Sequence, residues 1–299
     1  MAVVTTGFFD GVHLGHRQVL EKVVSAARKK GEEAVVVTFW PHPRTVLQQD
    51  ARDLRLLTTL EEKKALIASC GIDRVEVIPF TREFAAMKAD EYLLLLRDSF
   101  HASLLIMGYD NRIGSDRLTS AEITGTCTKG AHFVHGVPVL TAPCTESPFS
   151  VHGPISSTVI RRALADGRVT EAAGMLGYSY GLDGVVVAGN RMGRTIGFPT
   201  ANMQLYEPLK LIPGNGVYEV ETQVLGKTWR GMCNVGVRPT VDGRVRTVET
   251  HILDFDEDIY GLPIGIKFVR RIRDEKKFGS MEELREQLLQ DRDKINDKL

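Results

Sequence analysis

Apolar positions in the first part of the chain alternate between short continuous runs and helical spacing. Ala2 to Val4 opens a strand, and Val19 to Ala27 carries apolar residues on one helical face. Glu33 to Trp40 is a Val-rich buried strand. Thr59 and Glu62 form a capping box for a helix running to about Ser69. Arg74 to Ile78 is a strand ended by Pro79, Asp90 to Phe100 a helix, and Ser103 to Gly108 a further apolar strand. Such repetition predicts an α/β unit, a parallel sheet with helices on both faces. Ligands of such sheets bind outside the carboxyl ends of the strands. Those ends bring the turn after the first strand, Trp40 to Pro43 and Gly108 to Gly114 towards one crevice.

Ser156 to Asp166 and Val169 to Leu176 read as two more helices, and after Gly177 the pattern changes. Val185 to Val187, Gly216 to Val224, Thr228 to Val237, Arg246 to Phe255 and Gly265 to Ile272 read as strands separated by turns. They predict an antiparallel β-barrel. A helix from Ser280 to about Lys294, capped by Ser280 with Glu283, closes the chain. The expected division is 1–178 and 179–299.

Composition narrows the partners. The 299 residues suggest two domains, and a hydrophobic share of 43% supports a core in each. Up to Tyr178 there are 20 basic and 20 acidic residues, and beyond it 18 and 18. Two neutral halves argue against a nucleic-acid partner. Cys70, Cys127, Cys144 and Cys233 are scattered, which fits neither a zinc framework nor a disulfide scaffold. Scattered thiols, no membrane-length apolar run and no signal peptide predict a cytoplasmic protein with no membrane partner.

The chemistry is concentrated in two segments. In the first, Thr6 to His16, a strand turns into a helix and carries His13 and His16. Gly7, Gly11 and Gly15 allow close backbone approach, the first helix amides favour a phosphate, and imidazoles can neutralise charge on a phosphoryl group in flight. Phe9 and Asp10 share the turn and are assigned with the glycines to nucleotide or phosphate binding. Ser156, Ser157 and Thr158 put hydroxyls at a helix start with Arg161 one turn on, a second anion site. The other segment, Gly189 to Asn202, lacks the G-K-[ST] of a Walker A loop. It still offers Gly193 and Gly197, the phosphate partners Arg191 and Arg194, Pro199, and oxygen ligands for Mg²⁺ at Thr200 and Asn202.

The first segment resembles the signature of nucleotidyltransferases with a HxGH motif, and within them the adenylyltransferase half of the prokaryotic bifunctional riboflavin kinase/FAD synthetases. Phe39 to Pro43 matches that family's F-x-P-H-P, where His42 either contacts phosphate or ribose or pins the loop. Pro79 to Phe84 also matches a family element and is read as a packing loop. Gly108 to Gly114 corresponds to G-x-D/N-F-x-F-G, with Asp110 at the nucleotide-binding position but Asn111 and Ile113 where aromatics are usual. Ile155 to Arg161 matches S-S-T-x-I-R. The chain starts almost directly on the first strand, where the family usually has a short segment, so a looser sheet edge is expected there.

The second segment matches the riboflavin kinase signature G-R-x-x-G-F-P-T-A-N at every fixed position. Pro213 with Gly216 to Tyr218, Asn234 to Thr240, Val248 to Phe255 and Tyr260-Gly261 follow in the kinase order. The resemblance implies that riboflavin is phosphorylated by ATP to FMN and ADP, and FMN is then adenylylated by ATP to FAD and pyrophosphate. It implies Glu249 as general base of the kinase and Thr200 and Asn202 as Mg²⁺ ligands. His13 and His16 are assigned to transition-state charge and Arg161 to the ATP phosphates. The acidic run Asp254, Asp256, Glu257, Asp258 is read as a solvated hairpin turn and His251 as a packed strand histidine. Arg270, Arg271 and Arg273 either touch ligand or are exposed. Two other readings stay open: a kinase with a weak or inactive first domain, and a non-catalytic flavin-binding regulator.

Overall fold

The chain is organised around a sheet with a core on each face and a closed barrel. The computed structural model describes residues 1–47, 54–125, 133–134, 137–142, 154–189, 192–240 and 243–296. It divides into two units, Met1–Ser157 and Thr158–Leu299.

The first unit runs β1 (Ala2–Thr6), α1 (Leu14–Lys30), β2 (Glu33–Trp40), α2 (Pro43–Val46), α3 (Leu60–Ser69), β3 (Arg74–Pro79), α4 (Arg82–Ala86), α5 (Ala89–Phe100) and β4 (Ala102–Met107). The short β5 (Arg112–Ile113), β6 (Leu118–Thr119), α6 (Ser120–Gly125), β7 (Phe133–Val134) and β8 (Val137–Thr141) follow. The sheet order is β3-β2-β1-β4-β8-β7; β7 pairs antiparallel with β8 and the other pairs are parallel. β1 therefore lies between β2 and β4, in the middle of the sheet and not at its edge. Side chains alternate across a strand, so one sheet feeds two cores. Val3, Ala34, Val36, Leu104 and Ile106 pack with Val19, Leu20, Val23 and Ala27 of α1 and Ile67 of α3. Val4, Val35, Val37, Leu105 and Met107 pack with Tyr92, Leu93 and Leu96 of α5. The capping box of Thr59 and Glu62 is present. β8 is a correction to the sequence reading, which saw no strand there.

The second unit runs α7 (Ser157–Ala165, its first residue closing the first unit), α8 (Val169–Leu176), β9 (Gly181–Val187), α9 (Met192–Thr195), β10 (Ala201–Leu205), β11 (Gly216–Val224), β12 (Lys227–Thr240), β13 (Gly243–Ile252), β14 (Pro263–Arg273) and α10 (Met281–Asn296). The strands close a barrel in the order β10-β13-β12-β11-β14-β9, and every neighbouring pair is antiparallel. Buried Tyr218 and Phe268 meet edge to face at 5.2 Å between ring centroids. α10 places Ile295 against Phe198, Met232 and Leu253, and Arg273 reaches the buried Asp291 of that helix at 2.7 Å.

Two sequence expectations change here. β10 falls between Val187 and Gly216, where the sequence reading placed no strand. β13 ends at Ile252, and neither of its barrel neighbours is β14, so the acidic run joins strands that do not pair and is not a hairpin turn.

Candidate active sites

In the first unit, the turn after β1 holds an unusual backbone. Phe9 (φ 53°), Gly11 (φ 81°) and Val12 (φ 37°) all adopt left-handed conformations. Phe9 and Val12 are buried, and such non-glycine residues persist only where packing over-determines them. What holds the turn is Asp10. Its buried carboxylate accepts from Leu57 N (3.0 Å), Thr58 N (3.1 Å) and the Thr58 hydroxyl (3.1 Å). Its carbonyl accepts from Ser157 Oγ at 2.9 Å. Asp10 was expected at the ligand; its carboxylate is instead committed to the segment before α3, a correction with a stability consequence. Asp10→Ala strands those donors and should destabilise the first unit by about 3 kcal/mol. Urea unfolding followed by Trp40 fluorescence in a Trp229→Phe background reads this; a loss below about 1 kcal/mol would contradict the assignment.

The two histidines pair. His13 caps α1, its Nδ1 accepting from His16 N at 3.3 Å, so a neutral His13 carries its proton on Nε2. The rings stack at 3.6 Å between centroids and 16°, and Phe9 meets His16 edge-on at 5.2 Å. Burial, then His13, then Lys63 hold the His16 pKa well below the usual imidazole range. His16 Nδ1 is a buried atom without a hydrogen-bond partner. Together these favour a neutral imidazole until an anion arrives.

Beside this turn lies a cavity of about 270 Å³ lined by Gly7, Phe8, Phe39, Phe80, Phe84, Tyr92, Asn111 and Ile113, among others. Phe80 and Phe84 stand 5.7 Å apart and Phe39 packs 5.4 Å from Phe84. The Pro79 to Phe84 element, read as a packing loop, is therefore a wall of the cavity. Asn111 donates to Thr6 O at 2.6 Å, and Ile113 is buried in the α5 core. His42 caps α2, accepting from Arg44 N at 3.1 Å, and meets the Phe8 ring at 4.3 Å, which ties it to the loop. Asp110 is exposed in the turn after β4. Gly15 abuts the His13 ring, 3.2 Å from where a Cβ would lie. Lys63, unnoticed in the sequence, is 1% exposed and donates to Phe8 O (3.0 Å) and Phe39 O (3.3 Å).

Ser157 stands at the start of α7, with Ser156 before it and Thr158 after it, and Arg161 is one turn further on.

In the second unit, the signature folds back on itself. Phe198 N donates to Gly193 O at 2.8 Å, and a Cβ at position 193 would lie 2.1 Å from Phe198 O, so only glycine fits. Gly197 is left-handed at φ 82°. Arg194, Pro199 and Thr200 line a cavity of about 260 Å³ with Thr250, Phe255 and Asp256 to Tyr260. The acidic run thus borders a cavity, although Asp256, Glu257 and Asp258 are exposed. Arg191 lies outside the described residues.

Pairing in register puts Asn202 opposite Glu249 and Glu249 opposite Asn234. Directly opposed residues share a sheet face. The buried Val248, Thr250 and Ile252 point inward, so Glu249 is on the outer face. Arg238 reaches Glu249 Oε1 at 2.6 Å. Asn202, Asn234, Arg238 and Glu249 form one polar cluster, of which the sequence reading assigned roles only to Asn202 and Glu249. The Asn202 amide packs on Gly189, where a Cβ would lie 2.1 Å from Nδ2. His251 Nδ1 lies 2.8 Å from Pro199 O and its ring 5.0 Å from Phe198, so it packs under the signature loop. Arg270 pairs with Glu219, Arg271 with Asp274 and Arg273 with Asp291. Among the described residues no group of three or more His, Cys, Asp and Glu is arranged to hold a metal, and no helix is long and apolar enough to cross a membrane.

Both parts of the chain match known families. The FAD synthetase family model matches residues 1–142 and the riboflavin kinase model residues 176–299. A bifunctional riboflavin kinase/FMN adenylyltransferase of Listeria monocytogenes is 38% identical over 294 residues, covering 97% of this chain and 90% of the relative. The proteins of that name from Escherichia coli K12 and Bacillus subtilis are 38% and 34% identical, again covering 97% of this chain and 90% of each relative. A solved structure titled macrolide-efflux protein from Streptococcus pneumoniae superposes with a TM-score of 0.88 at 34% identity, covering 98% of this chain and 93% of that one.

Proposed function

This chain belongs to the bifunctional riboflavin kinase/FMN adenylyltransferase family, and from that premise we propose that it makes FAD from riboflavin in two steps at two separate sites. ATP phosphorylates riboflavin to FMN and ADP; a second ATP adenylylates FMN to FAD and pyrophosphate. We assign adenylyl transfer to 1–178 and phosphorylation to 179–299. The observation that carries the reading is that one chain holds both a stacked histidine pair at a strand-to-helix turn and the Asn202–Glu249–Asn234 cluster beside the signature loop.

For adenylyl transfer, an FMN phosphate oxygen attacks the α-phosphorus of ATP and the bond to the β-phosphate oxygen breaks. The nucleophile is already an anion, so the protein supplies position and charge. The Nε2–H of His13 is the donor left after its Nδ1 accepts the helix amide. His16, neutral in the empty site, gains a proton more readily as phosphate charge builds beside it. The glycine turn, with Ser156 and Ser157, is assigned to the nucleotide phosphates, and Asp110 to the nucleotide. The aromatic cavity suits a flat, largely apolar ring system, and we assign it to the isoalloxazine.

For phosphorylation, the riboflavin 5′-hydroxyl attacks the γ-phosphorus, its proton passing to Glu249 as ADP leaves. Arg238 orients that carboxylate. Gly193 to Pro199 wraps the phosphates, with Arg194 as the cation. Neutral oxygens at Thr200, on the cavity wall, and at Asn202, opposite Glu249, suit Mg²⁺, which prefers a few protein oxygens plus substrate phosphates over an all-protein cage. Bound there, Mg²⁺ would neutralise charge on the ATP phosphates. The thiols Cys70 and Cys233 are free, which fits a reducing cytoplasm.

The position of the label tests the reading. With riboflavin, [γ-³²P]ATP should label FMN. With FMN supplied, [α-³²P]ATP should label FAD and the γ-label should leave as pyrophosphate. FMN labelled without FAD would favour the kinase-only alternative; flavin binding with no transfer of either label would favour the regulator.

A further inference from the structure

Lys63 is a buried charge that neither step above uses. It stands one turn into α3 between Glu62 and Lys64 and is 1% exposed. Taking an ammonium out of water costs several kcal/mol, so such a group is retained only where its surroundings or its task offset the cost. Its surroundings are mostly neutral. Nζ donates to Phe8 O at 3.0 Å and Phe39 O at 3.3 Å and lies 3.9 Å from the centroid of the Phe8 ring.

We propose that Lys63 is a positioning residue for adenylyl transfer: its ammonium holds the carbonyls of Phe8 and Phe39 from inside the fold and so sets the wall of the aromatic cavity next to the histidine turn. Phe8 and Phe39 both line that cavity. The Phe8 ring is fixed on two sides, by the ammonium on its face and by His42 at 4.3 Å. Lys63 also acts at a distance on the histidine pair. The charged or titratable groups acting on His16 are His13 and Lys63, and both disfavour its protonation. Burial lowers the Lys63 pKa to about 8, Asp10 opposing the shift. One side chain thus fixes the cavity wall and biases the charge of the pair beside it.

The inference rests on adenylyl transfer by the first unit. If the unmodified chain makes no α-labelled FAD, that reading fails before Lys63 is reached. Otherwise Lys63→Met in the full chain is the test, with riboflavin phosphorylation as the internal check of folding. The kcat/KM for FMN in adenylyl transfer should fall about 100-fold, because the reacting groups lose their register. Phosphorylation should keep its parental rate. The His16 midpoint, read from its ring-proton NMR signals, should move to higher pH, since a neighbouring positive charge is gone. A purely structural role would not produce that upward shift. Unchanged adenylyl transfer in a folded Met variant, or an unchanged His16 midpoint, overturns the proposal. If the Met variant does not fold, Lys63→Arg decides: with cation and donors kept, it should retain transfer and the low His16 midpoint. An Arg variant that phosphorylates riboflavin normally but has lost adenylyl transfer overturns it.

Discussion

Replacing His16 with alanine should cut adenylyl transfer about 10³-fold while the same chain continues to phosphorylate riboflavin. The size follows from the site. His16 stacks on His13 at 3.6 Å at the turn after β1, and its pKa is held well below the usual imidazole range. Alanine removes the imidazole whose pKa burial, then His13, then Lys63 hold low, and leaves the Asp10 anchor of the turn in place. FAD formation from supplied FMN, followed by chromatography, measures the loss. FMN formation from riboflavin is the control, because it belongs to the other unit. Near-parental FAD formation by His16→Ala would remove the histidine pair from the mechanism.

The mirror experiment is Glu249→Gln. Riboflavin phosphorylation should fall about 10³-fold, because the glutamine amide cannot take the 5′-hydroxyl proton. The substitution is nearly isosteric, and its carbonyl oxygen can still accept from Arg238, which is 2.6 Å from Glu249 Oε1 in the parent. The barrel should therefore stay folded, and FMN supplied from outside should still become FAD. Retained phosphorylation would pass the base role to another group. Loss of both reactions would mean that the two activities are not separable by unit.

Much of this arrangement was legible in the chain because it is local. The helix start at His13, the capping box of Thr59 and Glu62 and the alternation along Gly216–Val224 each show in residues only a few positions apart. What the sequence hid depends on distant partners. Asp10 looks like a ligand residue in a Gly-rich turn, but its partners Leu57 and Thr58 are 47 and 48 residues away. Lys63 sits in a Glu-Glu-Lys-Lys run that reads as a solvated helix face, but it is buried and its partners Phe8 and Phe39 are 55 and 24 residues away. The acidic run looked like a hairpin because β13 and β14 are consecutive, yet the barrel separates them. β8 and β10 are five residues each, too short for period-two alternation to stand out, and β8 holds Pro138. Phe80 and Phe84 showed only as apolar residues after a strand, and their place on the cavity wall follows from packing against Phe39 and Tyr92.

The measurement that tests the central claim most directly is a chromatographic time course of the full chain with riboflavin, ATP and Mg²⁺. FMN should appear first and then decline as FAD rises, one chain performing both steps in order. FMN that accumulates with no FAD, under conditions where supplied FMN is also left unconverted, would contradict a bifunctional enzyme and leave the histidine turn without its reaction.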